Sequence, residues 1–115
     1  MIKLLSLLAI VATLTTSHIT GHLATKGTNG AWARHRIDLQ EGTTVVNVSA
    51  AANGKNTYLN CVFSDPLGTN TVIEHHVLLC DANVKRLALP SFMVLDIAND
   101  NNGPVDYDIT VQNTK

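Results

Sequence analysis

Apolar and polar residues alternate with a period of two over much of this chain from His35 onward. In 57–64 (TYLNCVFS), Leu59, Cys61 and Phe63 fall on one side and Tyr58, Asn60 and Val62 on the other. In 43–49 (TTVVNVS), Val46 and Val48 share a face, and in 36–40 Ile37 and Leu39 do. In 105–112, Tyr107, Ile109 and Val111 alternate with Asp106, Asp108 and Thr110. A period of two is the repeat of a β-strand with one face buried, and β-branched residues suit that pleated surface. Turn sequences separate the runs: Glu41-Gly42, Asn53-Gly54 and Asp65-Pro66-Leu67-Gly68. A long apolar strand is predicted over 71–80, interrupted by Glu74, His75 and His76, with a short edge strand over 86–89 before Pro90. Strands at 92–98 and 105–112 flank the polar loop 99–104 as a strand–loop–strand hairpin. Six to seven short strands with turns every eight to twelve residues predict an all-β chain, a small antiparallel β-sandwich.

Two segments break this pattern. Residues 1–17 begin with one cation, Lys3, continue as an eleven-residue apolar run over 4–14 (LLSLLAIVATL), and end in Thr15-Thr16-Ser17. That is the order of a secretory signal, a signal helix preceding the domain, with Ser17 as its expected last residue. The run is shorter than the ~20 residues that span a bilayer. The alternatives are an uncleaved membrane anchor and a buried helix. Residues 18–34 (HITGHLATKGTNGAWAR) show no periodicity and are broken by Gly21, Gly27 and Gly30. They predict a flexible lead-in from which Trp32 folds back onto a sandwich domain at 35–115.

Removal of 1–17 leaves 98 residues, enough for one modest core. Much of the 45% apolar content belongs to the leader and to alanine, and the aromatic residues are few. Past the leader, seven Lys and Arg face nine Asp and Glu, a formal charge of −2 with histidines neutral. That balance has no clustered cations for nucleic acid or an anionic membrane.

The order of features over 37–111 resembles the bacterial pre-peptidase C-terminal type of β-sandwich, which implies a jelly-roll-like module. The carrying pieces are IDLQEGTTVVNVSA, TYLNCVFSD and LALPSFMVLDIANDNNGPVDYDITVQ, the last ending in Tyr-x-Ile-x-Val. The family's glycine–aromatic pair before the penultimate strand is present only in part, as Pro90-Ser91-Phe92. The resemblance implies a non-catalytic accessory module, usually attached to a secreted hydrolase.

Cys61 and Cys80 are the only cysteines, and an exported domain with two cysteines favours a disulfide over two buried thiols. A simple hairpin turning near Gly68 sets Cys61 opposite about residue 75, so the bridge requires either a crossing between sheets or a register shift. His75 and His76 are neighbours and point to opposite faces of a regular strand, which argues against shared metal binding. His18 and His22 would share a face on a helix, which Gly21 disfavours. The run at 96–103, followed by Asp106 and Asp108, is the richest in oxygen ligands. Asp96, Asn99, Asp100, Asn101, Asp106 and Asp108 form a candidate calcium set, although Asn, Asp and Gly-Pro are also the residues of an ordinary loop. Calcium is the one candidate cofactor.

The sequence holds no Gly-x-Ser-x-Gly, no His-Glu-x-x-His and no phosphate loop. Asn47-Val48-Ser49 is a glycosylation sequon inside a predicted strand. These features predict a secreted or periplasmic module that is not an enzyme and binds a protein or glycan. The alternative is a membrane-anchored, virion or envelope structural protein that assembles into a larger particle. Nucleic acid is not an expected partner, a membrane is one only if the leader is retained, and exposed sheet edges suit a homo-oligomer.

Overall fold

The computed structural model describes residues 14–67, 69–86 and 91–114. Most of the expected leader, 1–13, lies outside the described residues, and so does 87–90, most of the expected edge strand before Pro90.

Among the described residues, nine strands form two antiparallel sheets. They are β1 (Leu14–Leu23), β2 (Trp32–Leu39), β3 (Gly42–Ala52), β4 (Lys55–Thr57), β5 (Leu59–Ser64), β6 (Thr71–Val77), β7 (Leu79–Arg86), β8 (Ser91–Ala98) and β9 (Val105–Thr114). The first sheet runs β1-β9-β3, and beyond β3 both β4 and β7 pair with it. The second runs β2-β8-β5-β6. With the short β4 set aside, the orders β1-β9-β3-β7 and β2-β8-β5-β6 are those of a jelly roll, two Greek keys closed face to face. The sandwich predicted from strand periodicity is the observed fold.

The core is the sum of the inward positions. Leu59, Cys61 and Phe63 of β5, Met93, Leu95 and Ile97 of β8, Ile37 and Leu39 of β2, Val46, Val48 and Ala50 of β3, and Val105, Tyr107 and Ile109 of β9 are all buried. Phe63 and Tyr107 are its two aromatic members, so branched aliphatics do most of the filling. Thr44 is fully buried and accepts a 3.0 Å hydrogen bond from Asn113 Nδ2. Asn53 and Gly54 both have positive φ (53° and 79°), the two-residue turn that matches strand twist in a tight hairpin, and here they join β3 to β4.

Several expectations are corrected. Residues 18–34 are not a loose lead-in: His18 to Leu23 belong to β1, paired residue for residue with β9, and β2 begins at Trp32. Leu14–Ser17, inside the expected leader, pair with Val111–Thr114, so cleavage after Ser17 leaves a six-residue β1. Trp32 stands on the outer side of β2, 56% exposed, and does not fold back into the core. The long strand over 71–80 is two strands in different sheets, with the change of sheet at Leu78. Strands β8 and β9 are not a hairpin, because loop 99–104 carries the chain from the second sheet to the first.

At the turn before β6, the Asp65 carboxylate accepts hydrogen bonds from Thr69 Oγ1 (2.6 Å), the Thr69 amide (2.8 Å) and Asn70 Nδ2 (3.1 Å). The Thr69 hydroxyl, ahead of the other donors, lowers its pKa from 3.8 to about 2. A carboxylate depressed in the folded state contributes stability that is complete above its unfolded pKa and is lost as pH falls through the folded one. Asp65→Asn is therefore expected to flatten the acid limb of the stability curve between about pH 4 and pH 2, read from urea unfolding across that range.

Candidate functional site

The polar run that suggested calcium is built into the end of the sandwich. Asn99 is 4% exposed and uses every polar atom of its side chain. Its Nδ2 donates to the carbonyls of Ala24 (2.9 Å) and Gly103 (2.8 Å), and its Oδ1 accepts from the Asn101 amide (2.9 Å) and Asn101 Nδ2 (2.8 Å). Asn101 reaches further, donating to the Tyr58 carbonyl (2.7 Å) and accepting from Thr57 Oγ1 (3.2 Å). The Asn101 carbonyl accepts from the Lys26 amide (3.1 Å) and Thr25 Oγ1 (3.2 Å). Two asparagines thus tie the β1–β2 connection, the β4–β5 junction and the β8–β9 loop into one clamp.

The other four residues of the expected calcium set lie elsewhere. Asp96 faces outward from β8, where Arg34 grips it with Nε at 2.8 Å and Nη2 at 3.2 Å. Asp100 is exposed. Asp106 and Asp108 project from the outer side of β9 in the opposite sheet, each beside a histidine. The structure brings Asn99 together with Asn101, and does not bring the four carboxylates together. Among the described residues no three His, Cys, Asp or Glu are grouped closely enough to hold a metal ion. Asn99→Ala is expected to cost about 2 kcal/mol in urea unfolding, because it removes the side chain that satisfies the part-buried carbonyls of Ala24 and Gly103.

The histidines are placed differently from expectation. His18 and His22 share a face on a strand, not a helix, and both look out from β1. His22 Nδ1 is 2.9 Å from Asp106 Oδ1, and His18 Nδ1 is 3.4 Å from Asp108 Oδ1. The signal was present in HITGHL, whose Ile19, Gly21 and Leu23 alternate with the histidines. Gly21 disguised it by standing at an inward position without a side chain. His75 and His76 together oppose the single residue Asn60, a bulge in which His76 takes φ 54°. Asn60 Oδ1 accepts the His76 amide at 2.6 Å, and the His76 ring stacks on Tyr58 with centroids 4.3 Å apart.

His35 points inward and joins the sheets. Its Nε2 shares a 2.7 Å hydrogen bond with the Tyr107 hydroxyl, and burial pushes the Tyr107 phenol pKa up. Tyr107 lies over Gly21, its cross-strand partner, so closely that a Cβ at Gly21 would clash with the ring and its hydroxyl. Sequence reasoning missed this pair because the residues are 72 apart and meet only when the sheets close.

Cys61 and Cys80 are disulfide-bonded, with Cα atoms 6.3 Å apart and both residues fully buried. Cys61 faces Glu74 across the β5–β6 hairpin, close to the position expected, and Cys80 belongs to β7 of the other sheet. The bridge therefore crosses between sheets.

The two outer faces differ in chemistry. That of the first sheet carries His18, Thr20, His22, Asp106, Asp108 and Thr110. That of the second carries Trp32, with the Arg34 guanidinium 5.8 Å from its ring centre, and Phe92, with Arg36 at 3.9 Å. Large apolar side chains are exposed at Leu67, Val72 and Ile73 around the β5–β6 turn and at Leu78 and Leu79 where the chain changes sheet. Among the described residues no helix is long and apolar enough to cross a membrane.

No protein-family model matches this chain, and no curated protein matches it. Among solved structures it is similar to a de novo designed double-stranded β-helix, at 12% identity and a TM-score of 0.43 over 88% of this chain and 99% of that one. It is also similar to a chain from Bacillus endospore appendages, described as a novel family of disulfide-linked pili, at 13% identity and a TM-score of 0.45 over 90% and 89%.

Proposed function

We propose that this chain is an exported, non-catalytic β-sandwich module that works by surface recognition of a protein or glycan. The observation that carries the reading is the inter-sheet bond between two fully buried cysteines. Such bonds form and persist in oxidising compartments, outside the cytoplasm. The signal-like order of residues 1–17 supports the same address. An accessory role is also what the resemblance to the pre-peptidase C-terminal sandwich implies. Intact-mass spectrometry of the exported protein tests it. The expected mass is that of residues 18–115 less two hydrogens, and a full-length mass in a membrane fraction overturns it.

A second reading, a structural subunit that assembles into a larger particle, is favoured by a different observation. The exposed apolar residues at the β5–β6 turn and at Leu78–Leu79 sit beside open sheet edges. Contiguous exposed apolar surface marks contacts with other molecules.

A further inference from the structure

The sandwich has open edges, and they are protected unequally. β6 is broken by the His75–His76 bulge, which twists an edge away from further pairing. β4 has three residues and carries Lys55, and β7 presents Asp81 and Lys85. β2 carries Arg34, Arg36 and Asp38 on its outer side. Charges, bulges and short length are the ordinary ways in which proteins stop edge strands from pairing. β1 has none of them. It pairs with β9 in unbroken register along its whole length, contains no Lys, Arg, Asp, Glu or Pro, and among the described residues has no second neighbour.

We infer that the β1 edge is a self-association surface, at which His18–Leu23 pairs antiparallel with the same segment of a second copy. This rests on the assembly reading above and names its contact. A two-fold axis perpendicular to the sheet keeps polar faces on one side and apolar faces on the other. Paired residue numbers must then sum to an even value, since a slip by one residue turns every side chain to the wrong face. The two even registers that pair five residues of the six place Thr20 opposite either Thr20 or His22 of the second copy. On the inner side, Ile19 packs against the core at this edge and is only partly buried. It meets Gly21 or Leu23 of the second copy, so the joined sheets extend one core into the next. The strand is its own mate: it carries no acidic, lysine or arginine side chain and is matched in polarity on both faces.

Sedimentation equilibrium of the exported protein is expected to show a dimer that dissociates on dilution. Thr20→Lys supplies the missing edge charge. Thr20 is exposed beside Asp108, so the monomer fold tolerates the change, while in the dimer each lysine faces a lysine or a histidine. The variant is expected to weaken dimerisation about tenfold or more. Amide hydrogen exchange gives a second readout. The amides of residues 19–22 are all protected when the edge is paired in either register, and alternate ones exchange fast in a free edge. A wild-type monomer, or alternating exchange, overturns the inference and leaves the export reading standing. A dimer unaffected by Thr20→Lys but dissolved by Ile73→Lys also overturns it, by moving the contact to the apolar corner. Failure of export would instead appear in the mass measurement, whatever the oligomeric state.

Discussion

Replacement of both Cys61 and Cys80 by alanine is expected to lower stability by about 3 kcal/mol, from the chain entropy regained by the 19-residue loop. For a domain of this size that corresponds to a fall of roughly 12–24 °C in the melting midpoint. The bond contributes more than a generic crosslink would. β5 and β7 lie in different sheets, and both sulfurs are in the closed interior, so the bridge holds the two layers at their spacing. Two alanines also leave a void in a core that contains only two large rings, and voids add to the cost. Thermal melts of the wild type with and without reductant, beside the Cys61→Ala/Cys80→Ala variant, measure the effect. Coincident midpoints would show that the sheets hold without the bond.

Gly21→Ala is expected to destabilise the fold although it adds a single methyl. An added methyl at this position collides with the Tyr107 ring. To make room, the ring must leave the inter-sheet space and release its hydrogen bond to His35. Overpacking of this kind costs about 1–3 kcal/mol, and Tyr107→Ala alone about 3–5 kcal/mol. The two changes are not independent. With Tyr107 already alanine, Gly21→Ala has nothing to strike, so the double variant should be no less stable than Tyr107→Ala. Urea unfolding of the four proteins closes the cycle, and simple additivity would refute the proposed contact.

Strands were legible wherever a side chain marked each inward position. β5 reads as Leu59, Cys61 and Phe63, and β9 as Tyr107, Ile109 and Val111, and both lie as their alternation predicts. β1 was missed because one of its inward positions is Gly21, whose place is filled from the neighbouring strand. The candidate site was harder to read. Asp96, Asp106 and Asp108 are close in sequence, but the chain changes sheet at residues 99–104, and this sends Asp96 to one face of the sandwich and the other two to the opposite face. Asn99 and Asn101 belong to that crossing, and their role as a clamp depends on carbonyls at Ala24 and Tyr58, which are distant in sequence.

By itself, the sequence determined the all-β character, most strand positions, the inward-facing residues and the two cysteines. These follow from a period of two, from turn chemistry and from the scarcity of charge, which are local properties. Only the tertiary structure decided which strands neighbour one another. The jelly-roll order, the crossing of Cys61 to Cys80, the Tyr107 ring over Gly21 and the unguarded β1 edge all depend on the points where the chain changes sheet. Pairing partners are chosen by the closing of two apolar faces over a shared core, and no local pattern encodes that choice.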